Sequence, residues 1–181
     1  MAEISRIRLL ALDVDGTLTD GGVFYDDAGR ELKRFHIHDG LGIVLAGFVG
    51  LGIAWMTGRT SPLVERRARE LGVTDLLQGV RDKAQTLDDL ALRRGLSLDE
   101  IAFMGDDLND LPALRRAGFA VAPANAVPEV RAAAHLVTPR AGGAGAVRDA
   151  IEAILHARGD WTFACDAYLL SLSAPSPSAV H

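Results

Sequence analysis

Two carboxylates one residue apart, Asp13 and Asp15, stand where the apolar run Leu9-Leu10-Ala11-Leu12 ends, and Gly16, Thr17, Thr19 and Asp20 follow at once. A short apolar run bounded by turn residues reads as a buried strand. Ionised carboxylates beside such a strand cost free energy unless a cation or hydrogen-bond donors meet them. Alone, Asp-Gly after a strand is also ordinary turn punctuation. Three further sites weigh against that plain reading. Thr57 follows the apolar stretch Ile53–Met56, Lys83 opens an amphipathic segment, and Asp106, Asp107 and Asp110 follow the apolar Ile101–Met104. Each has a bland counterpart by itself: a strand boundary, a solvated lysine, or helix-start acids favoured by the macrodipole. Together they suit a phosphate monoester, whose dianion repels nucleophiles and whose uncatalysed hydrolysis is slow enough to leave an enzyme up to ~10²¹-fold to supply. Asp13, Asp15 and Asp106 form an oxygen-rich set that fits a hard divalent cation, with Mg²⁺ the natural candidate. Lys83 brings a second positive charge, and Thr57 a hydrogen-bond donor for a phosphoryl oxygen.

These residues need elements that aim them at one place. Apolar strands are expected at Leu9–Leu12, Ile53–Met56, 75–79, Ile101–Met104, Phe119–Ala122 and Leu136–Val137. Between them lie helical patterns at 39–50, 62–71, 83–95, 109–117 and 127–134, with a last one at 147–156. Ser61-Pro62 supplies a cap and a first-turn proline, and Gly72 a stop. Residues 21–37 read as a β-hairpin around Asp26-Asp27-Ala28-Gly29. Alternation of buried strands with amphipathic helices predicts an α/β fold: a doubly wound, Rossmann-like, mostly parallel sheet flanked by helices. Ligands of such a sheet sit outside the carboxyl ends of its strands. Asp13 and Asp15, Thr57, Lys83, and Asp106 with Asp107 all fall at such ends.

The chain of 181 residues is read as a single domain over 1–158, followed by a tail over 159–181, partly disordered, whose last residues are rich in Ser, Pro and Ala. A formal net charge of −5 carries no basic footprint for nucleic acid. The most apolar stretch, Leu41–Met56, is interrupted by glycines and too short to span a bilayer. The single cysteine, Cys165, can form no intrachain disulfide. No membrane, no nucleic acid and a cytoplasmic setting are the expectations.

The stretch DVDGT, Thr57 after a strand, Lys83 and GDDLND from Gly105 to Asp110 resemble, in that order, the four motifs of the haloacid dehalogenase-like phosphotransferases. The resemblance implies that Asp13 is the nucleophile that becomes phosphorylated and that Asp15 is the acid/base. It assigns the metal to Asp13, the Asp15 backbone carbonyl and Asp106, with Asp107 and Asp110 in support. The segments from Asp15 to Thr57 and from Thr57 to Lys83 leave no room for a cap domain. The runs GGVFYDDAGRELKRF, HDGLGI, TGRTSPLVERRARELGV, LLQGVRDK, GDDLNDLPAL and GGAGAVRDAIEAIL are similar to those of the capless 3-deoxy-D-manno-octulosonate 8-phosphate phosphatases. That resemblance implies a small acidic keto sugar phosphate as substrate, on the lipopolysaccharide pathway. It also implies a homotetramer joined through its hairpins, each active site closed by a neighbour's glycine-rich segment around Gly142–Gly145. Substrate binding is carried over to Asp15, His36, His38, Asp39, Gly40, Arg59, Arg67 and Lys83. His38 departs from the pattern, since members usually carry Arg there. Relatives acting on nine-carbon keto acid 9-phosphates usually carry Glu where Asp39 stands, which favours the eight-carbon substrate. A nine-carbon or other sugar phosphate remains the alternative. A mutase, which would normally need a cap, and a catalytically silent binding or scaffold protein stand further off.

Overall fold

The computed structural model describes residues 3–173. Six strands form one parallel sheet: β1 (Leu9–Leu12), β4 (Gly52–Met56), β5 (Asp75–Leu77), β6 (Ile101–Met104), β7 (Phe119–Ala122) and β8 (Leu136–Val137), in the order β5-β4-β1-β6-β7-β8. Between β1 and β4 the chain makes the two-stranded antiparallel hairpin β2 (Phe24–Tyr25) and β3 (Glu31–Leu32). The helices are α1 (Ile37–Phe48), α2 (Pro62–Glu70), α3 (Lys83–Arg94), α4 (Leu111–Arg116), α5 (Pro128–Ala133), α6 (Ala146–Arg158) and α7 (Trp161–Ser173). The chain runs outward from β1 through β4 to β5, then crosses to the far side of β1 for β6. The strand order therefore reverses at β1, and the crevice of a doubly wound sheet opens there.

Residues of β1 alternate between two cores, as a strand period of two demands. Leu10 and Leu12 pack with α1, α2 and α6 through Ile43, Val64 and Ile151, whereas Leu9 and Ala11 pack with α3, α4 and α5 through Leu87, Leu114 and Val130. Every residue of β1 and β6 is buried, which explains their unbroken apolar sequence. β1 is held on both sides, Leu9 opposite Gly52 and Ile101, Leu12 opposite Trp55 and Met104. The strands next to the crevice are thus the most tightly fixed part of the sheet.

Two elements differ from the sequence reading. The fold does not end at residue 158, because Trp161–Ser173 is a helix. Its Ala164 is buried, Arg148 lies over the Trp161 ring at 5.0 Å, and Tyr168 meets Phe48 edge to face. The helix escaped notice because its apolar residues surround it rather than forming one stripe; Phe163, Leu169, Leu170 and Leu172 are exposed. The rest of the expected tail lies outside the described residues. The hairpin has only two residues paired in each strand, and a single bridge between Thr19 and Phe35 closes its base.

Candidate active site

The loop after β1 is shaped before any ligand arrives. Asp13 N–H donates to the Met104 carbonyl at 2.9 Å, which carries the ladder one residue beyond the strand and brings the carboxylate to the crevice floor. The chain then turns at Gly16, whose φ is +99°. A side-chain carbon there would lie 2.1 Å from Asp106 Oδ2, so glycine is required both by the backbone and by the neighbouring acid. Leu18 and Thr19 both donate their N–H to the Val14 carbonyl, and the Gly16 N–H donates to Thr19 Oγ1.

Lys83 is the first residue of α3, capped by Asp82, which accepts from the Gln85 N–H. Its buried ammonium donates to Asp13 Oδ1 at 2.6 Å and to Asp110 Oδ1 at 2.5 Å. Burial pulls the Lys83 pKa down, but the charges of Asp13 and Asp110 and their hydrogen bonds outweigh it and hold it above the ordinary lysine value. Asp110 is fully committed. Its second oxygen accepts from the N–H groups of Asp106 and Asp107, so it fixes the β6 loop and orients Lys83 rather than facing the crevice. Asp107 is exposed and turned onto the Leu108 N–H.

Burial, then the Asp110 charge, push the Asp13 carboxyl up to about 7 despite Lys83. Burial and the charges of Asp110 and Asp107 push Asp106 up to about 6. Carboxylate oxygens of Asp13, Asp106 and Asp110 lie within 4.8 Å of one another. Since Asp110 is taken up by Lys83 and two amides, the open donors are Asp13 and Asp106. The Asp15 carbonyl accepts no hydrogen bond among the described residues. Two crowded acids whose charge the protein leaves undercompensated, beside a free carbonyl, are the donor set of a hard cation.

The Asp15 carboxylate stands at the wall of the crevice. Thr57, the residue after β4, has its Oγ1 3.4 Å from Asp15 Oδ2 and accepts the Arg59 N–H. Asp15 Oδ1 accepts from Lys33 Nζ, a residue the sequence reading passed over. Lys33 also lies 3.5 Å from Glu31 Oε1, and Glu31 takes Arg59 Nη2 at 2.5 Å. The hairpin therefore delivers Glu31 and Lys33 to the crevice and links them to Arg59. Its alternation was the available signal. Phe35 packs into the core and stacks on Trp55, so Lys33 and Glu31, two and four residues earlier, share its inward direction while Leu32 points out.

Not every expected binding residue reaches the crevice. Asp39 is only 1% exposed, and its carboxylate accepts the Arg148 N–H at 2.8 Å, capping the third residue of α6. This helix begins at Gly145, which has no side chain to cap it, so the acid comes from α1 instead. Asp39 is turned inward onto α6. Gly40 is buried too: the Arg67 guanidinium occupies the place of a side chain, 2.4 Å from where a Cβ would stand. Arg67 thus covers the first turn of α1 and pairs with Glu70 at 3.2 Å. His36 is half-buried and His38 exposed, with their rings edge to face at 5.0 Å. The glycine segment packs within its own chain: Gly143 N–H donates to the Thr17 carbonyl, and a side chain at Gly142 would strike the Gly16 carbonyl. It braces the loop after β1.

The haloacid dehalogenase-like hydrolase family profile matches residues 53–151. The 3-deoxy-D-manno-octulosonate 8-phosphate phosphatase of Escherichia coli K12 is 42% identical over 159 residues, covering 88% of this chain and 85% of that protein. A crystal structure of the phosphatase of that name from Moraxella catarrhalis, in complex with magnesium ion, phosphate ion and a KDO molecule, superposes with a TM-score of 0.87 at 40% identity, covering 94% of this chain and 95% of the other. The cobalt-bound form of the Haemophilus influenzae phosphatase superposes with a TM-score of 0.84 at 37% identity, covering 87% and 92%. With the acids, lysine and threonine of the four motifs gathered at one crevice, the chain belongs to the haloacid dehalogenase-like hydrolases, in the branch of the 3-deoxy-D-manno-octulosonate 8-phosphate phosphatases.

Proposed function

We propose that this protein hydrolyses 3-deoxy-D-manno-octulosonate 8-phosphate to the free keto sugar acid and inorganic phosphate, through an aspartyl phosphate on Asp13, in the supply of lipopolysaccharide precursor. The observation that carries this reading is the pairing of Asp13 with Lys83 at 2.6 Å, with Asp15, Thr57 and Asp106 around them, in a chain this similar to phosphatases of that substrate. A carboxylate oxygen of Asp13 attacks phosphorus. The bond from phosphorus to the sugar oxygen breaks, and that oxygen takes the proton of Asp15, so the alcohol departs neutral. Asp15, now ionised, accepts a proton from water as the water oxygen attacks the phosphorus. The Asp13–phosphorus bond breaks, phosphate leaves and the Asp13 carboxylate is restored.

Lys83 holds Asp13 in place and offsets charge on the phosphoryl group, and Thr57 donates to one of its oxygens. Asp13, Asp106 and the Asp15 carbonyl would hold Mg²⁺, with Asp107 and Asp110 in support. When bound, the ion supplies positive charge beside the transferring group. Arg59, partly exposed and joined to the hairpin through Glu31, is the arginine offered for the substrate's carboxylate, with His36 and His38 after the base of the hairpin as further contacts. The exposed Val23, Phe24, Tyr25 and Leu32 give the hairpin an apolar surface that favours assembly into a homotetramer. A free Cys165 agrees with a cytoplasmic setting.

Phosphate release from keto sugar acid phosphates of eight and nine carbons, simple sugar phosphates and nucleotides, with and without Mg²⁺, tests the assignment. The eight-carbon substrate should give the highest kcat/KM, and only with the cation. Preference for another class would overturn it.

A further inference from the structure

Lys33 combines three observations that a solvated surface lysine does not. Its side chain is 4% exposed, whereas Val23, Phe24, Tyr25 and Leu32 around it on the hairpin are each more than half exposed. Its ammonium donates to Asp15 Oδ1, with Glu31 Oε1 at 3.5 Å as the second carboxylate. Thr57 Oγ1 sits 3.4 Å from the other Asp15 oxygen. A hairpin that shows its hydrophobics to solvent and buries its lysine has reversed the usual order, and burying an ammonium needs a matching anion. Glu31 alone would serve for that. The Asp15 contact is the part that reaches the reaction centre.

We infer that Lys33 is a positioning residue for the acid/base: it fixes the Asp15 carboxylate through Oδ1 so that Oδ2, beside Thr57, is the oxygen that exchanges protons with the leaving group and with water. As Asp15 gives its proton to the departing oxygen it becomes a carboxylate, and the ammonium on Oδ1 meets the charge as it forms. Glu31 fixes Lys33, and Arg59 fixes Glu31, so the line of contacts runs Arg59–Glu31–Lys33–Asp15. The inference rests on Asp15 being the acid of the proposed function.

The experiment compares kcat/KM, which reports the first phosphoryl transfer, for phenyl phosphate and p-nitrophenyl phosphate. The p-nitrophenolate ion leaves without a proton, while phenolate depends on one. Lys33→Met should lower kcat/KM for phenyl phosphate about 10- to 100-fold and for p-nitrophenyl phosphate less than about threefold, with an unchanged circular dichroism spectrum. Asp15→Asn is the benchmark and should show the same selectivity. If Asp15→Asn lacks it, the acid role of Asp15 fails and the proposed mechanism with it. If Asp15→Asn shows it and Lys33→Met does not, through equal losses on both esters or none, the role of Lys33 alone is overturned. Should Lys33→Met lose its fold, Lys33→Gln decides by the same ratio.

Discussion

The strand exits and the hairpin treat charge in opposite ways. At the ends of β1 and β6 and the start of α3, acids and a lysine are buried together on a fixed floor, with Asp110 locked by two amides and an ammonium. Above that floor the hairpin pairs only two residues per strand and exposes its apolar side chains, yet it places Lys33 and Glu31 at the crevice wall. The floor is rigid because its neighbours are central parallel strands held on both sides. The wall depends on a short ribbon with little core of its own, and a ribbon of that size is marginal unless something packs on it. The floor therefore holds the nucleophile in place, and the hairpin adds Lys33 at Asp15 and the Glu31–Arg59 pair at the wall.

Substitutions on the floor should give the largest effects. Asp13→Asn keeps shape and hydrogen-bonding capacity but removes the nucleophile, and kcat should fall on the order of 10⁴-fold or more on every ester. Wild-type-like turnover of p-nitrophenyl phosphate by this variant would end the covalent mechanism. Lys83→Met leaves Asp13 and Asp110 buried without their cation. It should cost about 3–5 kcal/mol of stability as well as activity, measured by urea unfolding of the metal-free protein. A loss no greater than that of an exposed lysine would mean that the floor is not preorganised by Lys83.

Between floor and cation lies a pH dependence whose sign can be worked out. Asp13, raised to about 7, and Asp106, raised to about 6, bind protons more tightly in the folded chain than in the unfolded one. Their contribution to stability is fully present below the unfolded carboxylate value and is lost as pH rises through 6 to 7. Metal-free protein should accordingly lose melting temperature between about pH 4 and 7. Mg²⁺ competes with those protons, so its affinity should rise on the order of 10²-fold from pH 5 to pH 7, and it should restore the lost stability. Calorimetric titration showing a pH-independent affinity would exclude Asp13 and Asp106 as the ligands.

The same contrast decides what the sequence could reveal. The floor was legible because Asp13 and Thr57 follow β1 and β4 directly, Asp106 comes just after β6, and Lys83 opens α3 after the loop that leaves β5, so the chain order alone brings them to one crevice. Side-chain direction across elements was not legible. Asp39 entered as a substrate-binding residue through the family resemblance alone, but α6 has Gly145 at its start and takes Asp39 as its cap. Lys33 went unread although its alternation with Phe35 and Leu32 was there, because a hairpin of two paired residues per strand gives that alternation little length to show itself. Helix α7 was missed because its hydrophobics face both ways.

The smallest expected effects concern the two arginines, and they sharpen the contrast between wall and interior. Arg59 is partly exposed and linked through Glu31 to the acid/base side of the crevice, whereas Arg67 lies over Gly40 with its guanidinium turned toward the first turn of α1. Arg59→Ala removes a partly exposed charge, paired with Glu31, that is proposed to meet the carboxylate of the keto sugar acid. The loss of one charge-assisted contact, about 1.5–3 kcal/mol, corresponds to a fall in kcat/KM of roughly 10- to 150-fold for that substrate. For p-nitrophenyl phosphate, which has no carboxylate, the same variant should change less than about threefold, the small loss reflecting a looser Glu31–Lys33 pair. Arg67→Ala should show a different pattern. It empties the space above Gly40 and unpairs Glu70, so melting temperature should drop, and both esters should suffer in similar proportion. If instead Arg67→Ala spares p-nitrophenyl phosphate and selectively harms the keto acid substrate, Arg67 swings out of its seat on α1 when substrate binds. The interior position seen here would then be the resting one.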